Sequence, residues 1–330
     1  MTLQPDSEPA MTDMPKRVFI LEEGPREGFQ IEKGPIPTAR KIELIDALSD
    51  TGLRQIQIVS FVDPRRVPGM ADAEEVVAGV TPRAGVRYTG LWLNDRGFER
   101  ALATGRLDMR GTIVAGASST FLKRNQNRTI EEQLAAQRAL VARYRELGIP
   151  VTRGGVMAAF GCNYEGEAPV SRVVGLVGDI LAIARDNDIT LEYVSFADTM
   201  GWATPLAVKR LIGAAQDAYP DVEWALHLHD TRGLGLANAY AGLEMGVARF
   251  DAAVAGLGGC PFAGNAGAAG NVCTEDLVFM CEEMGIETGV DLERLIACAR
   301  LAEDIVGHPL PGSVKIGGSL ARLRASLKSA

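Results

Sequence analysis

The sequence predicts an α/β protein built on a closed (β/α)8 TIM barrel with additional C-terminal helices. Short apolar runs alternate with longer segments of helical period, an alternation typical of a parallel sheet with crossover helices. Polar residues also collect where the apolar runs end, which is the edge at which such barrels carry their active sites. The predicted strands are residues 18–22, 55–60, 87–92, 110–115, 151–157, 191–196, 222–227 and 249–254. The predicted helices between them are residues 39–51, 72–79, 95–104, 130–147, 169–187, 205–218 and 235–245. Residues 275–284 and 291–306 would supply the eighth helix and the C-terminal addition.

An open, doubly wound sheet is the alternative arrangement of eight such strands. That fold usually has a glycine-rich phosphate loop after its first strand. Here the first strand is followed by Gly24-Pro25-Arg26-Glu27-Gly28, and the glycines of residues 256–270 are not followed by Gly-Lys-Ser or Gly-Lys-Thr. The closed barrel is therefore the better interpretation.

The first 16 residues carry three prolines and scattered acids without a hydrophobic period. We expect a disordered, mobile tail there, followed by a single catalytic barrel over residues 17–330.

Composition excludes several classes of function. The 330 residues include 34 Lys and Arg against 42 Asp and Glu, which gives a net charge of -8. Nucleic acid is not an expected partner, because phosphate neutralisation needs a clustered basic surface. Each apolar run is broken before the ~20 residues that cross a bilayer, so no membrane span is expected. The five cysteines include no Cys-x-x-Cys pair, which indicates reduced thiols and a cytoplasmic protein. The acidic surface allows a homodimer without requiring one.

Two histidines at the end of the seventh predicted strand suggest a metal site. His227 and His229 are two residues apart, so their side chains point to one face about 6.6 Å apart along the strand. A hydrogen-bonded pair of core histidines is the alternative. Two imidazoles with oxygen ligands and no thiolate pair favour Mg²⁺ or Mn²⁺, and Zn²⁺ is also compatible.

The oxygen ligands would come from Glu27, after the first strand, and Asn271, after the eighth. Glu27 could instead complement a helix dipole, and Asn271 could belong to a turn after Gly270. Arg26 lies beside Glu27 and can direct a fixed fork of donors at a carbonyl or enolate oxygen, although an isolated arginine is usually a surface charge.

Cys260 lies in the loop of residues 255–262, where small residues before the thiol allow the loop to close over a substrate. Most free cysteines are buried and inert, but this position favours an acid or base. The basic residues of 121–128, on the predicted loop after the fourth strand, could be a landing site for a phosphorylated handle such as that of coenzyme A, or a solvated helix start.

With these residues in view, the chain resembles the 3-hydroxy-3-methylglutaryl-CoA lyase family of metal-dependent TIM barrels over about residues 18–305. The blocks that carry the resemblance occur in the same order. They are Glu22-Glu23-Gly24-Pro25-Arg26-Glu27-Gly28-Phe29-Gln30, Ser60-Phe61-Val62, Val67-Pro68, Gly161-Cys162-Asn163-Tyr164-Glu165-Gly166, Asp198-Thr199-Met200-Gly201, His227-Leu228-His229-Asp230-Thr231, residues 254–261 and Gly270-Asn271-Val272-Cys273-Thr274-Glu275-Asp276-Leu277.

The resemblance implies retro-Claisen cleavage of a branched 3-hydroxyacyl-CoA to acetyl-CoA and a keto acid. It implies that His227, His229 and Asn271 bind the metal and that His227 takes part in proton transfer. Arg26 would stabilise the enolate oxygen, and Cys260 would be the acid/base thiol. Asp198 corresponds to an active-site aspartate. Further positions that resemble substrate or coenzyme A contacts are Ser60, Asn125, Arg153 and Ser195.

Three positions depart from the family pattern. Glu27 stands where the lyase has aspartate, so this carboxylate is one methylene longer. Gln57 stands where the lyase has an acid, which is expected to lower the negative charge around the site. Gly155 replaces a residue that is usually aromatic, which suggests a roomier pocket floor.

These departures leave three functions open. The first is a divalent-metal-dependent lyase that forms acetyl-CoA and acetoacetate. The second is a citramalyl-CoA lyase or a related aldol-type lyase or synthase on another branched 3-hydroxyacyl-CoA. The third is a barrel that binds metal or coenzyme A and has lost its activity.

Overall fold

The computed structural model describes residues 14–32, 34–259 and 270–328. Eight parallel strands form one curved sheet in the order β3-β2-β1-β10-β9-β8-β5-β4, and β6 pairs with β7 in a separate antiparallel ladder. The strands are β1 (Phe19–Glu22), β2 (Gln55–Ser60), β3 (Arg87–Leu91), β4 (Gly111–Gly116), β5 (Val151–Met157), β6 (Gly161–Cys162), β7 (Gly166–Glu167), β8 (Tyr193–Ala197), β9 (Trp224–His227) and β10 (Arg249–Ala252). All eight predicted barrel strands are present, and the TIM-barrel prediction is confirmed.

The barrel has a seam between β3 and β4, the two ends of the sheet order. A backbone hydrogen bond from Asp108 N to Tyr88 O, 2.8 Å long, joins β3 to the segment before β4. Among the described residues no parallel ladder pairs the two strands themselves. The wall is therefore held at this seam by individual contacts rather than by a continuous ladder.

The helices cover the outer face of the sheet. They are α1 (Phe29–Ile31), α2 (Thr38–Ser49), α3 (Ala73–Gly79), α4 (Asp95–Ala103), α5 (Ser119–Gln126), α6 (Ile130–Glu146), α7 (Val170–Arg185), α8 (Pro205–Ala218), α9 (Gly235–Glu244), α10 (Thr274–Glu283), α11 (Leu292–Val306), α12 (Val314–Gly317) and α13 (Leu320–Lys328). In the part of the chain that the structure describes, no helix is both long and apolar enough to span a bilayer.

The basic stretch of residues 121–128 lies largely on helix α5, so its placement in a loop is wrong and the alternative of a helix start agrees with the structure. Ser118 Oγ accepts a hydrogen bond from Phe121 N at 3.1 Å and caps α5, and Phe121 and Leu122 bury its inner face. Asn127 ends the helix in the left-handed conformation. A capping serine followed by an apolar pair was the local signal for this helix. The C-terminal helices α12 and α13 were also not predicted.

The apolar core lies between the sheet and the helices, whereas the inside of the barrel is polar. Along β2, Ile56 and Ile58 are fully buried on the helix side. Gln55 and Gln57 alternate with them and line an interior cavity with Arg153. The polar interior leads directly to the carboxyl ends of the strands.

Most of the predicted N-terminal tail lies outside the described residues. Lys16 O accepts a hydrogen bond from Glu287 N at 2.9 Å, so the end of that segment contacts the barrel.

Candidate active site

The candidate site is assembled at the carboxyl ends of β1, β9 and β10. After β1 the chain makes one wide helical turn, Gly24–Gly28, in which the backbone N–H groups of Arg26 and Glu27 both donate to Glu23 O. This turn directs the side chains of Glu23, Arg26 and Glu27 into the barrel mouth. His227 ends β9, and an isolated bridge places His229 beside Asn271.

Glu27, His227 and His229 converge on one point. His227 Nε2 lies 3.1 Å from His229 Nε2, and His229 Nε2 lies 3.1 Å from Glu27 Oε1. Their potential ligand atoms all lie within 4.8 Å of one another. Burial opposes ionisation of Glu27, but Arg26 and the two imidazoles hold its pKa well below the ordinary value. The site therefore presents a carboxylate and two ring nitrogens to a common centre.

Asn271 contributes a buried oxygen next to this cluster. Its Nδ2 donates to Leu257 O at 3.3 Å, whereas its Oδ1 is buried without a hydrogen-bond partner. A Cβ at Gly258 would lie 2.5 Å from Asn271 Nδ2 and 3.0 Å from Glu27 Cγ, so only glycine lets the loop pass this closely. An unpartnered buried amide oxygen costs free energy unless a ligand satisfies it. This donor set of oxygens and imidazole nitrogens fits a divalent cation.

Asp198 lies on the adjacent strand end. Its Oδ1 accepts hydrogen bonds from Trp202 N at 2.6 Å and Ala203 N at 3.0 Å, and its Oδ2 is buried without a partner. Burial raises the pKa of Asp198, an effect that the nearby His229 partly offsets. This carboxyl group can therefore hold or accept a proton.

Three side chains surround the Arg26 guanidinium. Its Nε donates to Gln57 Oε1 at 2.5 Å, one terminal nitrogen donates to Glu23 Oε2 at 2.5 Å, and the other lies 3.0 Å from Glu27 Oε2. Burial would lower the pKa of Arg26, but Glu23 and Glu27 raise it. Arg26 is thus a fixed, fully charged cation at the site.

A second network supports His227 from inside the barrel. His227 Nδ1 lies 3.3 Å from Asp251 Oδ2 and 3.4 Å from Glu23 Oε2, and Arg153 donates to Asp251 at 2.5 Å and to Ser195 Oγ at 3.0 Å. Burial would lower the pKa of His227, but Asp251 and Glu23 raise it to about 10. With Nδ1–H bonded to Asp251, loss of the Nε2 proton to a bound cation would leave the Nε2 lone pair directed at the common centre.

Sequence reasoning missed Glu23 and Asp251. Their signals were an acid directly after the first strand and an acid within an otherwise buried strand. The expected loss of negative charge at Gln57 is also corrected, because Glu23 brings a carboxylate to the same guanidinium.

The remaining predicted positions are dispersed. Ser60 is buried and donates to Gln30 Oε1 at 3.0 Å, and Asn125 is half-buried on α5. Arg153 and Ser195 bond to each other inside the barrel. Cys260 lies outside the described residues. Burial raises the pKa of both Cys281 and Cys298 to about 12, as expected for inert thiols.

Known proteins of one family resemble this chain over most of its length. Residues 17–302 match the model of the HMGL-like family. The chain is 43% identical over 282 residues to the mitochondrial hydroxymethylglutaryl-CoA lyase of Gallus gallus, covering 86% of this chain and 91% of that protein. It is 41% identical to the cytoplasmic 3-hydroxy-3-methylglutaryl-CoA lyase of Mus musculus, covering 86% and 79% of the two chains.

Two solved structures are similar over most of the chain. Hydroxymethylglutaryl-CoA lyase from Pseudomonas aeruginosa superposes with a TM-score of 0.84 at 37% identity, covering 97% of this chain and 100% of that one. An HMG-CoA lyase from Acinetobacter baumannii, in complex with coenzyme A and 3-methylmalate, gives 0.82 at 38% identity, with coverage of 92% and 96%.

Proposed function

This chain belongs to the HMGL-like family, and we propose that it is a divalent-metal-dependent carbon–carbon lyase that cleaves 3-hydroxy-3-methylglutaryl-CoA to acetyl-CoA and acetoacetate. The observation that carries the proposal is the convergence of Glu27, His227 and His229 beside the buried Arg26 guanidinium. A cation site and a fixed positive charge, side by side, suit a substrate that becomes an enolate during cleavage.

The metal would be held by Glu27, His227, His229 and Asn271. When bound, it supplies Lewis-acid polarisation of the substrate's hydroxyl and carboxylate oxygens. Two of the four groups provide oxygen, which favours Mg²⁺ or Mn²⁺, and Zn²⁺ is to be tested beside them.

Arg26 is suited to stabilise the thioester enolate. A guanidinium has five N–H donors; two bond to Gln57 and Glu23, and the third nitrogen lies 3.0 Å from Glu27, so other N–H groups are left for a substrate oxygen. Because the group is buried and held on three sides, its charge needs no reorganisation when negative charge develops on that oxygen.

The protons are handled by a small set of groups. Removal of the hydroxyl proton lets the C2–C3 bond break, so that the hydroxyl carbon becomes the ketone of acetoacetate and C2 becomes the enolate carbon. Asp198 has a free, buried Oδ2 that can accept that proton, and His227 is proposed to take part in the proton transfer. Cys260 is proposed to return a proton to C2.

Coenzyme A is the proposed carrier of the acyl group. The positively charged residues of α5 and its C-terminal end, Lys123, Arg124 and Arg128, would attract its phosphates, with Asn125 on the same helix. Ser60, Arg153 and Ser195 remain proposed substrate contacts. A homodimer and a cytoplasmic location remain proposals.

A coupled assay tests the function. Purified protein with Mg²⁺ or Mn²⁺ is given 3-hydroxy-3-methylglutaryl-CoA and, separately, citramalyl-CoA, and mass spectrometry identifies the keto acid. Acetoacetate from the first ester is expected. Cys260→Ser should abolish most turnover while Mn²⁺ binding is retained, and Cys298→Ser is the matched control on an inert thiol.

A different acyl-CoA is the second candidate substrate, and Gly155 favours it. A Cβ at Gly155 would meet only Ser195 atoms, at 3.6 and 3.8 Å, so the pocket floor has space there. Pyruvate from citramalyl-CoA, without acetoacetate, would establish this alternative. No product from either ester, with Mn²⁺ still bound, would indicate a barrel that has lost its activity.

A further inference from the structure

Two adjacent glutamates at the end of β1 have opposite surroundings. Glu22 points toward the outer loops, where its Oε1 accepts from Gly24 N at 2.7 Å and from Val254 N at 2.9 Å. Glu23 points into the barrel mouth and is only 3% exposed. Its Oε2 lies 2.5 Å from an Arg26 nitrogen and 3.4 Å from His227 Nδ1. Glu23 therefore joins the two cationic groups of the site, although it is outside the converging ligand cluster.

We propose that Glu23 is the positioning residue that orients the Arg26 guanidinium, and that it supplies the negative charge which Gln57 does not. The expected change in kcat rests on the proposed function, whereas the orientation of Arg26 by Glu23 does not.

The geometry distinguishes the three neighbours of Arg26. Gln57 accepts from Nε but is neutral, so it fixes direction without balancing charge. Glu27 lies 3.1 Å from His229 as well as 3.0 Å from Arg26. As a proposed metal ligand it would share its negative charge with the cation, which weakens its attraction for Arg26. Glu23 alone among these three contacts combines a full charge, deep burial and a 2.5 Å hydrogen bond outside the ligand cluster. Because charge-assisted hydrogen bonds are stronger than neutral ones, Glu23 should determine where the unused Arg26 donors point.

A carboxylate exchange tests the proposal. Glu23→Gln removes the charge from one edge of the guanidinium, and the double variant Glu23→Gln/Gln57→Glu returns it on the Nε edge. We expect Glu23→Gln to lower kcat by about 10- to 100-fold and the double variant to recover most of that loss. Mn²⁺ affinity should change by less than about threefold in both, because Asp251 still holds His227 Nδ1.

A second readout does not depend on turnover. In protein labelled with ¹⁵N-arginine, the Arg26 Nε–H resonance, assigned by its loss in Arg26→Lys, should exchange slowly with solvent. Glu23→Gln should accelerate that exchange by about tenfold or more, and the double variant should slow it again. Glu22→Gln is the matched control, because it changes the neighbouring buried glutamate and should leave the Arg26 resonance protected.

The outcomes are separable. Unchanged Arg26 exchange in a folded Glu23→Gln protein, or a double variant no better than Glu23→Gln in either readout, would overturn the proposal. If Glu23→Gln does not fold, Glu23→Asp withdraws the carboxylate by one methylene and should show the same faster exchange. If the wild type does not cleave 3-hydroxy-3-methylglutaryl-CoA, the proposed function fails, and the exchange measurement still decides the role of Glu23.

Discussion

The two mouths of the barrel are both rich in charge, but they differ in how that charge is satisfied. At the amino-terminal mouth the charges form pairs, such as Arg17 with Glu287 at 2.7 Å, Arg110 with Asp108 at 3.0 Å and Arg249 with Glu223 at 3.1 Å. At the carboxyl-terminal mouth several buried polar atoms have no partner, namely His229 Nδ1, Asn271 Oδ1 and Asp198 Oδ2.

This difference indicates where the molecule uses polar groups for binding and where it uses them for structure. Paired surface charges contribute little free energy individually and need no ligand. Buried polar atoms without partners cost free energy, and a bound group can offset that cost. Trp224 Nε1, at the amino-terminal end of β9, is also buried without a partner, so an unpartnered atom indicates a ligand site only where candidate ligand atoms converge beside it.

The largest expected effect is at the metal cluster. His229→Ala removes a ring nitrogen that lies 3.1 Å from both Glu27 and His227, so Mn²⁺ affinity and kcat should each fall by more than about 100-fold. Titration with Mn²⁺ and steady-state kinetics measure the two quantities. Arg17→Ala at the opposite mouth is the control and should leave kcat within about twofold. Equal losses in both variants would contradict the distinction between the mouths.

Two buried asparagines test whether a side-chain oxygen without a hydrogen-bond partner identifies a metal ligand. Asn271 and Asn238 each donate through Nδ2 to a backbone carbonyl, and each has a buried Oδ1 without a partner. Asn271→Ala should weaken Mn²⁺ binding by about tenfold or more, because Asn271 is bridged to His229 and is a proposed ligand. Asn238→Ala, on α9, should lower the free energy of unfolding by about 1–3 kcal/mol and leave Mn²⁺ binding unchanged.

The same result for both asparagines would mean that an orphan oxygen alone does not identify a ligand. Calorimetric titration with Mn²⁺ and urea unfolding of each variant distinguish these outcomes.

Glu22 tests a fully bonded buried carboxylate next to the site. Burial raises the pKa of Glu22 to about 7 from 4.5, against the hydrogen bonds from Thr274, Val254 and Gly24. The pKa of Glu22 is higher in the folded state than in the unfolded state. The contribution of the protonated Glu22 to the free energy of unfolding is therefore fully present below about pH 4.5 and is lost as pH rises through about 7. Glu22→Gln keeps the two N–H bonds through its carbonyl oxygen but does not titrate.

The free energy of unfolding of wild type, relative to Glu22→Gln, should therefore fall by up to about 3 kcal/mol between pH 4.5 and 8. Urea unfolding at the two pH values measures this difference. A constant difference would show that Glu22 does not titrate in this interval.

Much of the architecture follows from local patterns, whereas the supporting network of the site does not. The apolar runs defined all eight barrel strands, and the two-residue spacing of His227 and His229 placed both at one strand end. Glu22 and Glu23 look equivalent in the sequence, and only the position where β1 ends decides which one faces the site. The pair of Arg153 and Asp251 joins residues 98 positions apart across the barrel, and no local signal encodes it.

The smallest expected effect tests whether the amino-terminal mouth is only structural. The Arg249 guanidinium pairs with Glu223 and lies 4.9 Å from the ring centres of both Phe19 and Tyr193. Arg249→Ala should lower the free energy of unfolding by about 1 kcal/mol through these partly exposed contacts, and Arg249→Lys should lower it less.

The Tyr193 ring also lies under Arg153. Arg153 bonds to Asp251, which in turn contacts His227, so a fall in kcat would reveal coupling along the barrel interior. Unchanged kcat in both variants, with the loss confined to urea unfolding, would establish that the two mouths are energetically independent.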